Sequence, residues 1–200
     1  FEMTLDVRRL ARVEARAAFD GLARLRIEVF RDFPYLYDGD LDYERRYLDT
    51  YLAEDGAAIF GAFDAGTLVG AATASPLANH FEEFAKPFAE RGLDVADFYY
   101  FGESVLQKRY RGHGVGVRFF EEREKAARED GFSRCIFSAV VRPLDHPLRP
   151  ADYIPLDRFW QKRGYRRLDG FHTGFSWRDI GEEAETEKPM EFWIKELDVA

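Results

Sequence analysis

The stretch of this sequence best equipped for chemistry is Arg111-Gly112-His113-Gly114-Val115-Gly116. An apolar run, Phe98–Leu106, precedes it, and an acid-rich amphipathic segment opens at Val115. The pattern predicts a strand, a basic turn over Gln107–Arg111, and a helix with glycines at its N-terminus. Such a junction carries unpaired backbone N–H groups and the positive end of a helix dipole. Without side chains, the glycines let a bulky anion approach that backbone closely. The expected chemistry is a phosphate cradle fed by an apolar strand.

Two known cradles fit poorly. A nucleotide-triphosphate loop needs Lys and then Ser or Thr after its last glycine, whereas Val117 and Arg118 follow Gly116. A dinucleotide fingerprint spaces its glycines G-x-G-x-x-G after a first strand. Here Gly112, Gly114 and Gly116 alternate, and they sit mid-chain. The remaining match is Arg111-x-x-Gly114-x-Gly116, which resembles the acyl-CoA signature of the GNAT superfamily of N-acetyltransferases. Downstream, Phe159-Trp160-Gln161-Lys162-Arg163-Gly164-Tyr165 is similar to that family's late helix and turn, and Arg134–Val141 between them supplies the next strand. The resemblance spans about residues 3 to 178.

The resemblance implies an α/β fold of the α+β mixed-sheet kind, with a central, mixed, splayed β-sheet and helices on both faces. It implies an acetyl-CoA-dependent N-acetyltransferase that passes the acetyl group directly to a primary amine, on a small molecule or an exposed protein. The alternative is a non-catalytic acyl-CoA-binding or sensing module on the same fold. Carried onto this chain, the free backbone groups of the splayed strand belong to Glu103, Ser104, Val105 and Leu106. A backbone N–H near Val105 would polarise the thioester carbonyl as an oxyanion hole does. The amides of Arg111, Gly112, His113, Gly114, Val115 and Gly116 would hold the pyrophosphate, with Gly116 letting the helix start close to the strand.

Amine acetylation needs a proton acceptor, because alkyl amines have pKa values of about 10. Glu103 is the candidate base, since a carboxylate in an otherwise apolar strand is costly unless paired or functional. The family's usual acid, a Tyr, is replaced here by Trp160, whose indole is no proton donor in that role. Tyr153 stands where many members carry an Asn, and it is the candidate substitute. Phe33–Asp40 falls where the family covers its acceptor, and Tyr35, Tyr37 and Asp38 are the candidate substrate-binding residues. His80, His113, His146 and His172 show no metal-ligand spacing, so no metal is expected. Cys135 lies in a strand pattern with no His beside it and reads as core rather than nucleophile.

The 200 residues suit a single domain over 3–200, with Phe1-Glu2 ahead of Met3 read as an expression remnant. A net charge of −8 argues against nucleic-acid binding and favours a cationic acceptor. No run is long enough to span a bilayer and no signal segment is visible. The lone cysteine fits a cytoplasmic protein. Around the site the sequence predicts a first strand at Thr4–Leu10, a helix over Ala11–Phe30, and another over Asp42–Leu52. A hairpin, Ala57–Ala74, follows, and then a helix, Phe81–Arg91, interrupted by Pro87. The later elements are a long helix, Val115–Asp130, a short one at Leu156–Arg163, and strands Gly170–Trp177 and Met190–Leu197. The last strand, read as an edge, offers a route to a homodimer.

Overall fold

The computed structural model describes residues 3–198, so Phe1-Glu2 lie outside the described residues. The strands are β1 (Leu5–Arg9), β2 (Ala58–Asp64), β3 (Thr67–Pro76), β4 (Phe98–Leu106), β5 (Arg134–Val140), β6 (Arg166–Trp177) and β7 (Thr186–Glu196). The helices are α1 (Arg12–Ala17), α2 (Phe19–Phe30), α3 (Leu41–Ala53), α4 (Glu82–Ala89), α5 (Val115–Glu129) and α6 (Asp157–Lys162). The strands form one sheet in the order β1-β2-β3-β4-β5-β7-β6. Every neighbouring pair is antiparallel except β4 with β5, which α5 joins as a crossover.

Strand alternation divides the core. Tyr99 and Phe101 of β4 pack with Val115, Phe119 and Phe120 of α5 and with Phe159 and Trp160 of α6. Phe98 and Tyr100 point to the other face, against Phe84 and Phe88 of α4. On that second face, Ile59, Ala71 and Val105 lie under Leu22 and Leu25 of α2 and Leu48 and Leu52 of α3.

Three expectations need correction. The first helical stretch is two helices, because Ala18 leaves helical geometry at φ −87°, ψ 4°. Pro87 does not interrupt its helix but sits inside α4. The carbonyl that a proline at this position leaves without a partner is that of Glu83, and the Thr173 hydroxyl of β6 donates to it at 2.6 Å. Finally, β7 is not an edge: it lies between β5 and β6 and pairs with both. The edge-strand argument for a dimer through Met190–Leu197 therefore fails.

Candidate active site

The site begins where the sheet opens. β4 and β5 pair only through Phe98–Phe101 and Arg134–Phe137. Beyond that point β4 stays with β3 and β5 stays with β7. A β-bulge lies at the fork: Ala72 faces Ser104 and Ala74 faces Phe101, so Thr73 alone opposes both Gly102 and Glu103. The Glu103 N–H donates to Thr73 Oγ1 at 3.1 Å. A Cβ at Gly102 would collide with that oxygen, which explains the glycine.

The bulge also decides where Glu103 points. With regular alternation Glu103 would follow Tyr99 and Phe101 toward α5. The extra residue turns Glu103 and Val105 toward α2 and α3 instead. From the α5 side, buried Arg123 aims its guanidinium at the carbonyls of Thr73 (3.5 Å), Glu103 (3.4 Å) and Phe119 (3.2 Å). It also stacks on Phe101 at 4.5 Å and Phe120 at 4.9 Å. Burial lowers its pKa to about 10, so the cation persists at neutral pH.

The ladder fixes which backbone groups face the gap. Gln107 N–H donates to Val69 carbonyl at 3.0 Å, and Val105 lies opposite Ala71 two residues earlier. Antiparallel alternation therefore directs the N–H of Val105 to β3, and leaves those of Ser104 and Leu106 facing the gap. The amides near Val105 that face the gap are therefore those of Ser104 and Leu106. On the other lip, Val141 N–H donates to Pro189 carbonyl at 2.9 Å, so Ser138 and Val140 face inward. On that lip the Tyr100 hydroxyl meets Ser138 Oγ at 2.6 Å. Burial pushes the Tyr35 phenol up to about 12. The β4 lip is open.

Past β4 the chain makes a single turn, Lys108–Tyr110, and enters α5. Gly112 (φ +80°) and Gly114 (φ +83°) occupy left-handed geometry, with Gly114 as the helix N-cap. The amides of Gly112 through Val117 have no hydrogen-bond partner among the described residues. Arg111 differs, since its N–H donates to Lys108 carbonyl at 3.2 Å and leaves only its exposed side chain for a ligand. Gly116 approaches α6 rather than the strand: its Cβ would lie 3.2 Å from Phe159 Cζ. His113 is exposed.

Glu103 is nearly buried and paired with Arg26 of α2. Arg26 also donates from Nε to Glu44 of α3 at 2.5 Å. Tyr47 reaches Glu103 Oε2 at 3.3 Å, and the Tyr37 hydroxyl donates to Glu44 Oε1 at 2.9 Å. The guanidinium lies over Tyr47 at 4.3 Å and Phe30 at 5.3 Å. Two carboxylates thus share one cation.

The remaining candidates scatter around this centre. Tyr37 spends its hydroxyl on Glu44, and Asp38 pairs with Arg178 at 3.0 Å and Arg31 at 3.3 Å. Tyr153 packs edge-on against Phe33 at 4.7 Å, under Arg149 at 5.0 Å. Trp160 packs on Phe137 and Trp193. Burial pushes the Cys135 thiol up to about 12, so it carries little thiolate. Among the described residues, no three His, Cys, Asp or Glu side chains gather as a metal site. No described helix is long and apolar enough to cross a membrane.

The model of the acetyltransferase (GNAT) family matches residues 22–165. The chain belongs to this family. It is a GNAT N-acetyltransferase with the mixed sheet described above. Solved structures share the fold at low identity. A ribosomal-protein-alanine N-acetyltransferase of Brucella melitensis is 16% identical with a TM-score of 0.63, over 96% of this chain and 99% of that one. PaiA N-acetyltransferase of Thermoplasma acidophilum, in complex with coenzyme A, is 13% identical with a TM-score of 0.55, over 97% and 99%. The yncA protein of Salmonella typhimurium, solved with acetyl-CoA, is 11% identical with a TM-score of 0.59, over 98% and 95%. No curated protein sequence matches significantly.

Within this GNAT chain, sequence reasoning missed Arg26, Glu44, Tyr47, Thr73 and Arg123. A signal was present for two of them. Arg26 stands between Leu22 and Phe30 on the apolar stripe of α2, and Glu44 between Leu41 and Leu48 on that of α3. Charges at such positions call for buried partners.

Proposed function

We propose that the enzyme takes acetyl-CoA and transfers its acetyl group directly to a primary amine, on a small molecule or an exposed protein. The observation that carries this is the open β4 lip, with the Glu103 carboxylate on the same strand beside it. The pantetheine arm runs along that lip as a surrogate strand, hydrogen-bonded to Ser104 and Leu106. The diphosphate sits on the amides of Gly112 to Val117, with the Arg111 side chain adding charge. Two of the fold relatives named above were solved with acetyl-CoA or CoA, which supports acetyl-CoA as the co-substrate.

The amine nitrogen attacks the thioester carbonyl, a C–N bond forms, and the C–S bond breaks. Glu103 accepts the ammonium proton, and the sulfur leaves as thiolate. Glu44 keeps Arg26 neutralised while Glu103 is protonated, so the guanidinium is never left without a counter-charge. Tyr153 is the proposed donor to the sulfur. Burial raises its pKa above the ordinary phenol value, whereas a thiol ionises near about 8.5. It therefore supplies a hydrogen bond, and water completes the protonation.

A thiol-release assay over a panel of amines tests the reading. Amine-dependent release of CoA is the expected result. Acetyl-CoA that binds without turnover with any amine would assign the chain to the sensing alternative.

A further inference from the structure

We infer that the acceptor is a hydrophobic primary amine with an aromatic body and no acidic or second basic group. The inference rests on the assignment of Glu103 to the acceptor side of the gap. A closed circuit of side chains surrounds that side. Glu103 meets Tyr47 through its hydroxyl, and Tyr47 stacks on Phe81 at 5.8 Å. Phe81 meets Phe175 at 5.6 Å, and Phe175 meets Trp177 at 6.4 Å. Trp177 meets Tyr35 at 5.9 Å, and Tyr35 meets Phe30 at 4.9 Å. Phe30 lies under Arg26, which returns to Glu103. Tyr100 and Phe84 form a floor, joined to the rim through Phe175 and His80.

These rings are more than closed core. Phe30, Tyr35, Tyr47, Phe81 and Phe175 all keep partial solvent access, while nearby Phe88 and Phe192 have none. Aromatic side chains that keep partial solvent access beside a carboxylate suit a planar apolar body and a nearby ammonium.

The charges then narrow the class. Two carboxylates against the single Arg26 leave an excess negative charge, which matches one ammonium. The neighbouring cations are committed. Arg142 is bidentate on Asp179 and donates to the Pro34 and Tyr35 carbonyls. Lys188 is buried on Asp179 and Glu182, and Arg31 and Arg178 hold Asp38. His80 is neutral, packed among Phe81, Phe84 and Tyr100. An acceptor carboxylate or phosphate would find no free partner among these groups. A second ammonium would find Asp38 and Asp179 already paired.

The test compares 2-phenylethylamine, phenylalanine and 1,4-diaminobutane as acceptors. Phenylalanine adds only a carboxylate to the first, and the diamine replaces its ring with a charge. The expected kcat/KM for 2-phenylethylamine exceeds both others by on the order of tenfold or more. In Phe175→Leu, KM for 2-phenylethylamine rises roughly fivefold with kcat little changed, and the diamine is unaffected. Equal or higher kcat/KM for either competitor, or a uniform loss for all three amines in Phe175→Leu, overturns the inference. Calorimetry separates it from the catalytic proposal. If 2-phenylethylamine binds the CoA-loaded enzyme but receives no acetyl group, the transfer reading fails while the site stands. If acetyl transfer prefers the diamine, the reverse holds.

Discussion

The missing side chain of Gly116 points at the ring of Phe159, whose Cζ would lie 3.2 Å from a Cβ there. The two glycine-containing motifs of the sequence therefore meet in space, with α6 seated on the first turn of α5. Gly116→Val must displace Phe159 from Phe120, which it meets at 5.9 Å. Overpacking of this kind costs about 1–3 kcal/mol. Calorimetric unfolding should show that loss, and the double variant Gly116→Val with Phe159→Leu should recover part of it. No recovery would mean that the contact is not the cause.

Glu103→Gln keeps the size of the side chain but removes its basicity. A general base contributes typically about 10²- to 10⁴-fold. Turnover should fall within that range, while the Kd of acetyl-CoA measured by calorimetry moves by less than about threefold. Unchanged turnover would remove Glu103 from the mechanism.

Arg123 braces the bulge without itself facing the acceptor. Arg123→Met leaves the carbonyls of Thr73 and Glu103 without their buried donor. Each unsatisfied buried group costs about 1–3 kcal/mol. Beyond this destabilisation, loss of the brace frees the bulge to slip, so affinity for CoA should weaken along with stability. A stability loss with unaltered CoA affinity, read by calorimetry on the still-folded variant, would separate Arg123 from the shape of the gap.

How much of this was legible in the sequence follows from range. The strand Phe98–Leu106, the helix from Val115 and the glycine turn depend on local periodicity and punctuation, and each could be read directly. The bulge could not, because it depends on Thr73 being matched against two residues some thirty positions away. The edge assignment of β7 failed for the same reason: its neighbours are set by how β6 folds back, not by its own residues. The pairing of Glu103 with Arg26 joins β4 to α2 across most of the first half of the chain. Only the misplaced charges on the apolar stripes of α2 and α3 hinted at it.

His80 gives a pH signature. Packing against Phe81, Phe84 and Tyr100 pushes its imidazole down to about 3, from an ordinary value near 6.5. Between those values the unfolded chain binds a proton that the folded chain refuses. Stability therefore rises with pH across that window and is lost on acidification. From pH 7 to pH 5 this one group costs roughly 2 kcal/mol. Denaturant unfolding of His80→Phe should show a correspondingly shallower acid decline. A decline equal to that of the parent protein would contradict this.

A crystal structure of the enzyme with CoA tests the central claim most directly. The account predicts diphosphate oxygens within hydrogen-bonding distance of the amides of Gly112 to Val117, about 2.7–3.2 Å, and the pantetheine arm paired to Ser104 and Leu106. CoA bound elsewhere, or a gap closed by direct hydrogen bonds between β4 and β5, would contradict it.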